Sequence, residues 1–251
     1  NAVLAITGDV KPDEVFAKVE KYFGDIAPRD VPPHPDVTEA PQTSERRSTE
    51  DDKLANVPAI AIGYRMPPRT SHDAVVGAVV GELMHNGEAS LLYQALVKEK
   101  KVALSVDGGV NWPLGNAFEY NGPTLMTSFM VYPPNVTEDD LIKAYDDVVR
   151  QLSTEGASPA ALERISAKMR SDWYNQFQLP IYRASVLAHA TMFDGTPERA
   201  NEIPGEIAKV NSGEIKAFAA KYLVQTNRTI INRVPVKKEQ GAGESGKGAG
   251  R

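Results

Sequence analysis

At 251 residues with a formal net charge of −5, the chain is long enough to bury a core. Its charges are spread too evenly to offer a footprint to nucleic acid or an anionic membrane. The absence of cysteine excludes a disulfide framework and any thiolate metal site, and no run approaches the roughly 20 apolar residues a membrane span needs.

These bounds leave the compartment open, with a bacterial envelope or periplasm as the favoured setting. The sequence begins without methionine and already in strand pattern, so a fragment is expected whose targeting signal lies upstream. Ala2 to Thr7 has strand composition, and Gly8-Asp9 leads into a helix starting near Pro12, a favoured first helical position. Val15, Phe16, Val19, Tyr22 and Phe23 make its apolar stripe, and Gly24 ends it. Residues 27–43 hold Pro28, Pro32, Pro33, Pro35 and Pro41 and no periodicity, which predicts a semi-rigid linker. Residues 44–50 suit a polar edge strand.

From Ala59 to Tyr64 the pattern is again a strand, stopped by Met66-Pro-Pro-Arg69. Asp73 to Met84 is apolar nearly all round, with Ser71 or Thr70 available as a cap, and such a helix must be buried on most sides. Asn86-Gly87 ends it. A short helix then carries Leu91, Leu92, Ala95 and Leu96, and Val102 to Val106 returns to strand pattern. Gly108-Gly109 reads as a turn or bulge. Residues 111–122 form a loop in which Trp112 suggests a contact surface. Thr124 to Tyr132 is a strand, and Thr137-Glu-Asp-Asp140 starts a helix that Gly156 closes. Ser158-Pro159 opens another, with Leu162, Ile165, Met169, Trp173 and Phe177 on one stripe. Ile181 to Phe193 is a third. Gly195, Pro197, Pro204 and Gly205 predict a loop, Ser212 caps a last helix through Leu223, and Arg228 to Val234 is the closing strand. From Lys237 the glycine-rich tail should be disordered.

The end of the chain repeats its beginning in kind, a strand after a helix-rich stretch. Residues 1–26 are therefore expected to be the tail of an upstream repeat, and 44–236 a whole one. The fold class is α+β: an antiparallel or mixed sheet with helices packed mainly on one face.

The stretch Gly87-Glu-Ala-Ser-Leu-Leu-Tyr-Gln-Ala-Leu-Val-Lys-Glu-Lys-Lys-Val-Ala-Leu-Ser-Val106 resembles a segment of the M16 zinc metallopeptidases (pitrilysin, insulinase and mitochondrial processing peptidase). There a Gly-x-Ser-Ser-Arg-Leu-Tyr turn leads into a Leu-Val-x-Glu-Lys helix, in the non-catalytic half. Asn1 to Val10 and Lys21-Tyr-Phe-Gly24 resemble the strand and helix closing the preceding catalytic half. The turn departs from the family at Leu91, where arginine is usual.

The resemblance implies a half-clamshell domain that closes with a catalytic half, fused upstream or separate, around a chamber for extended peptide. Peptides in such enzymes add a strand to a sheet edge. Zinc is expected only in that partner half, bound by His-x-x-Glu-His, with no cofactor in this chain and no peptidase activity from it alone. Here His34, His72, His85 and His189 include no two within helical reach. The nearest string, His85-Asn-Gly-Glu88-Ala89, has alanine where the second ligand would stand, and a polar helix terminus is the simpler reading. On the helix matching the zinc-bearing one, Ala78, Gly81 and Glu82 occupy the ligand positions.

The family's non-catalytic half often supplies an arginine and a tyrosine to the substrate carbonyl. The matching places are Lys98, which can donate, and Leu104, which cannot. Candidate peptide contacts are therefore Tyr93, Lys98, Tyr182 and Arg183, each weighed against an ordinary surface or core role; His189 reads as a core or interface histidine. The alternative function is a catalytically silent scaffolding subunit, like the core proteins of respiratory complexes.

Overall fold

The protein is described here from a computed structural model covering residues 2–33 and 35–236. His34 and the tail from Lys237 lie outside the described residues. Alternating burial along the strands decides the architecture. In β2 (Ala59–Arg65), Ile60, Ile62 and Tyr64 are sealed; in β4 (Leu125–Val131) the sealed residues are Met126, Ser128 and Met130, and in β5 (Arg228–Pro235) Arg228, Ile230 and Asn232. With β1 (Arg46–Asp52) and β3 (Ser105–Val110) they form one sheet of order β1-β5-β2-β4-β3. Only β1 and β5 run parallel. Ile62 stands between Ile230 and Ser128 in register, so the sealed side chains fall in rows on one face. Each large aliphatic in these rows contributes about 1.5–3 kcal/mol by leaving water.

The helices cover that face. Central among them is α2 (His72–His85), capped by Ser71, whose Oγ accepts from Ala74 N–H at 3.3 Å. At Gly77 a Cβ would stand 2.8 Å from Phe218 Cζ, so glycine permits close packing of α2 on a later helix. A π-helical segment, Tyr93–Glu99, follows, closed by the Lys100 N–H bonded to the Ala95 carbonyl at 2.9 Å. Next come α3 (Glu138–Glu155), α4 (Pro159–Gln176) and α5 (Pro180–Asp194). Thr137 and Ser158 cap α3 and α4 as their positions predict.

Four expectations are corrected. Ala2 to Thr7 pairs with no strand; Leu4 and Ile6 are exposed, and apolar alternation cannot make a ladder without a neighbour. Thr7 Oγ1 instead donates to the Pro180 carbonyl at 2.6 Å. The helix after it, α1 (Pro12–Phe23), forms with no buried residue. The stretch around Pro204 is a helix, α6 (Arg199–Ile207), not a loop. Proline cannot donate to the carbonyl four residues back, but that carbonyl, Ala200, accepts the Trp173 indole N–H at 3.0 Å. Asn211 rather than Ser212 caps α7 (Ser212–Tyr222), through a capping box with Glu214, while Ser212 Oγ donates to the Ala157 carbonyl at 2.8 Å. Finally, β3 begins at Ser105 and runs through Gly108 and Gly109, which pair with Ser128 and Thr127 instead of turning.

Candidate functional site

Buried titratable groups are the usual mark of chemistry, and the covered face holds several. His85, at the end of α2, lies against β3 where Gly108 leaves room; a Cβ there would stand 2.7 Å from His85 Cδ2. Its Nδ1 is 2.8 Å from the Gly81 carbonyl and its Nε2 2.7 Å from Ser128 Oγ. A carbonyl only accepts, so Nδ1 donates and Nε2 takes the serine hydroxyl proton. Ser128 Oγ in turn accepts from Tyr145 Oη at 2.9 Å. Burial pushes the His85 pKa down to about 4, leaving the ring neutral. Burial likewise holds the Tyr145 phenol far above its ordinary range and pushes Tyr64 up to about 12.

Beside this chain lies Arg228, almost wholly buried, bonded to Glu45 and Asp146 and 3.5 Å from Tyr64 Oη. Burial lowers its proton affinity, but the bonds to Asp146 and Tyr64 and the Glu45 carboxylate outweigh that and raise it. Every polar group in the two networks has a partner, and the rings of Tyr64 and Tyr145 stack over one another at 6.5 Å. The arrangement positions β2, β4 and β5 against α2 and α3; it offers nothing to a substrate.

Zinc does not fit this half. The string His85 to Ala89 is split by burial, with His85 sealed and Glu88 exposed. Ala78 and Gly81 have no donor atoms, and the Glu82 carboxylate is bonded by Asn86. His72 is engaged by Glu214 at 2.8 Å, and His189 stacks on Phe193. Among the described residues no three His, Asp or Glu side chains are grouped to hold a metal ion.

The candidate peptide contacts separate. Tyr93 and Lys98 sit on the π-helical segment, the ammonium 5.3 Å from the ring centroid and 3.9 Å from Glu88. Leu104, the other family position, is half exposed with no side-chain donor. Tyr182, on α5, borders a shallow cleft of about 480 Å³ with Asn116, Glu119 and Leu179. Arg183 turns back to the Phe177 carbonyl, with Nη2 at 2.6 Å, and closes the end of α4. Trp112 is only half exposed, because it stacks on Phe129 with ring centroids 6.1 Å apart.

Sequence reasoning missed the other face of the sheet. Across β5, β2, β4 and β3 the register places Thr229, Gly63, Thr127 and Gly109 in one row, and Ile231, Ala61, Phe129 and Asp107 in the next. The central strand presents only Ala59, Ala61 and Gly63 between the larger side chains of its neighbours. The signal was the small-residue alternation within Ala59-Ile-Ala-Ile-Gly, which is legible only once the paired strands are known.

A mixed sheet layered with helices on one face, carrying no metal-ligand group, defines a shell-type α+β domain. The family model described as the peptidase M16 inactive domain matches residues 1–169, and the chain belongs to that family. It is 23% identical over 184 residues to the zinc protease PqqE of Helicobacter pylori, a match covering 71% of this chain and 39% of that protein. A crystal structure of a protease from Helicobacter pylori superposes with a TM-score of 0.80 at 18% identity, over 91% of this chain and 53% of the other. The inactive peptidase domain of a putative zinc protease from Bordetella parapertussis does so with a TM-score of 0.64 at 23% identity, over 75% and 96%. The chain thus spans about two fifths of its curated relative and half of the Helicobacter structure.

Proposed function

We propose that this chain is the non-catalytic half of an M16-type zinc metalloendopeptidase, and that the open face of its sheet forms part of the chamber wall that receives extended peptide. The observation that supports this most directly is the one-sidedness of the sheet: one face is sealed under helices while the other keeps a floor of Ala59, Ala61 and Gly63. In this reading a half bearing His-x-x-Glu-His, fused or separate, supplies every catalytic group and the metal. Residues 2–26 belong with that half. The apolar side chains of α1, including Phe16 at 70% and Tyr22 at 69% exposed, would be covered by it, because a helix of 12 residues with no buried face is marginal on its own.

The second reading, a scaffolding subunit without peptidase work, draws on Leu104, which cannot donate where the family's non-catalytic half often carries a donor. The two separate in a reconstitution assay. The chain is mixed with its zinc-bearing half, and hydrolysis of an unfolded peptide is followed. A gain in kcat/KM of at least about tenfold over the zinc-bearing half alone is expected, since positioning effects in catalysis readily exceed that size. Equal turnover with and without the chain would favour the scaffold.

A further inference from the structure

The outer edge of β3 combines three features that the covered face does not have. First, its main-chain groups are free. Asn111 N–H donates to the Leu125 carbonyl at 2.8 Å, on the register that pairs Asp107 with Phe129 and Gly109 with Thr127. In an antiparallel ladder such residues turn their N–H and C=O toward the partner strand, and the alternate ones turn away. Val106, Gly108 and Val110 therefore aim theirs outward, and no hydrogen bond joins them to another segment among the described residues. Second, Asp107 stands exposed on the open face with no ion pair or hydrogen bond among the described residues. The arginines on the same face are engaged: Arg65 with Glu39 at 3.2 Å and Arg233 with Glu50 at 3.0 Å. Third, the space over Gly109 is empty; a Cβ built there meets nothing within 4 Å. That space opens beside Thr127, in a row next to Phe129 and its stacked neighbour Trp112.

From these we infer that the β3 edge is a specificity-determining strand-addition site, which selects extended peptide with a basic residue two positions from an aromatic one. The inference rests on the chamber-wall reading above and deepens it. A peptide strand laid along β3 forms its ladder with Val106, Gly108 and Val110. Its residue opposite Asp107 shares the open face with that carboxylate, where opposite charges on directly paired strands attract. Its residue two places on lies opposite Gly109, on the same face. A large side chain there occupies the gap that glycine leaves and reaches the edge of the Trp112 and Phe129 stack, an arrangement aromatic rings favour. An acidic residue opposite Asp107 would be repelled, and proline or an N-methylated amide would break the ladder.

The test is fluorescence anisotropy of the full chain with labelled peptides containing Phe-Thr-Lys or Lys-Thr-Phe, since strand direction decides which fits. At low salt one of the two is expected to bind about fivefold more tightly than its glutamate counterpart, the upper range for an exposed ion pair, with the ratio shrinking in high salt. Asp107→Asn should bring that ratio close to one, and Asp107→Lys should reverse it. Trp112→Ala should weaken both peptides alike, and N-methylation of the central amide should abolish binding. Binding of neither peptide, or a ratio that survives Asp107→Asn, would overturn the inference. Asp107 is exposed, so loss of fold does not confuse that variant. The reconstitution assay reports separately, because a gain in turnover with a peptide lacking this pattern supports the chamber wall without the selective edge.

Discussion

The two faces of one sheet carry polar groups of opposite kinds. On the covered face His85, Ser128, Tyr145 and Arg228 are sealed and fully partnered; on the open face Asp107 is exposed and alone, beside glycine and small side chains. Perturbed titration belongs to the first and free valence to the second. In this molecule, then, a displaced pKa marks the framework, and an unengaged group marks the surface where a ligand can gain something.

The contrast should appear first in stability. Arg228→Ala leaves Asp146 and Glu45 without their shared cation and is expected to cost about 3–5 kcal/mol in urea unfolding. Arg233→Ala, an exposed arginine two rows along the same strand pairing, should cost less than about 1 kcal/mol. Equal costs would erase the distinction between the faces.

The pH dependence sharpens it. His85 titrates near 4 when folded, against about 6.5 when unfolded. Below pH 6.5 the unfolded chain binds a proton that the native state refuses. The contribution is thus intact above that value and is lost as pH falls toward 4, by about 1.4 kcal/mol per pH unit. Glu82, whose carboxyl burial holds high, acts in the opposite direction over the same range. Comparison with His85→Gln isolates the ring: its unfolding free energy should fall less steeply between pH 6.5 and 5, and an unchanged slope would contradict the sealed neutral imidazole.

A smaller effect is expected at Ser128. Its removal in Ser128→Ala separates His85 Nε2 from Tyr145 Oη and should cost about 1–3 kcal/mol, whereas Thr127→Ala, one residue away on the open face, should stay within about 0.5 kcal/mol. Chemical denaturation of both variants at neutral pH provides the measurement.

What was legible in the sequence was local. Ser71, Thr137 and Ser158 announce helix starts because the capping oxygen and its amide lie three residues apart, and the spacing of four histidines already argues against a His-x-x-Glu-His centre. The family and the α+β class were legible for the same reason, since the Gly87 to Val106 motif is contiguous. What escaped depended on distant partners. Pro204 sits inside α6 because Trp173 takes up the carbonyl it strands. Gly108 stays in a strand because His85 fills its vacant side. Ala2 to Thr7 looks like a strand but has no neighbour to pair with. Of the proposed contacts, Tyr93 and Lys98 come together, but Arg183 is committed to closing α4. Asp107 could not be singled out in advance, because its solitude follows from a register that only the folded sheet defines.

The most direct measurement is photo-crosslinking. A peptide substrate bearing benzoylphenylalanine is irradiated on the assembled two-half enzyme, and the labelled residues are located by mass spectrometry. Labels should fall on β3, β4 and the loop at Trp112, on the uncovered side of the sheet. Labels confined to the helical layer of α3 to α7, or absent from this chain altogether, would contradict a substrate-facing wall.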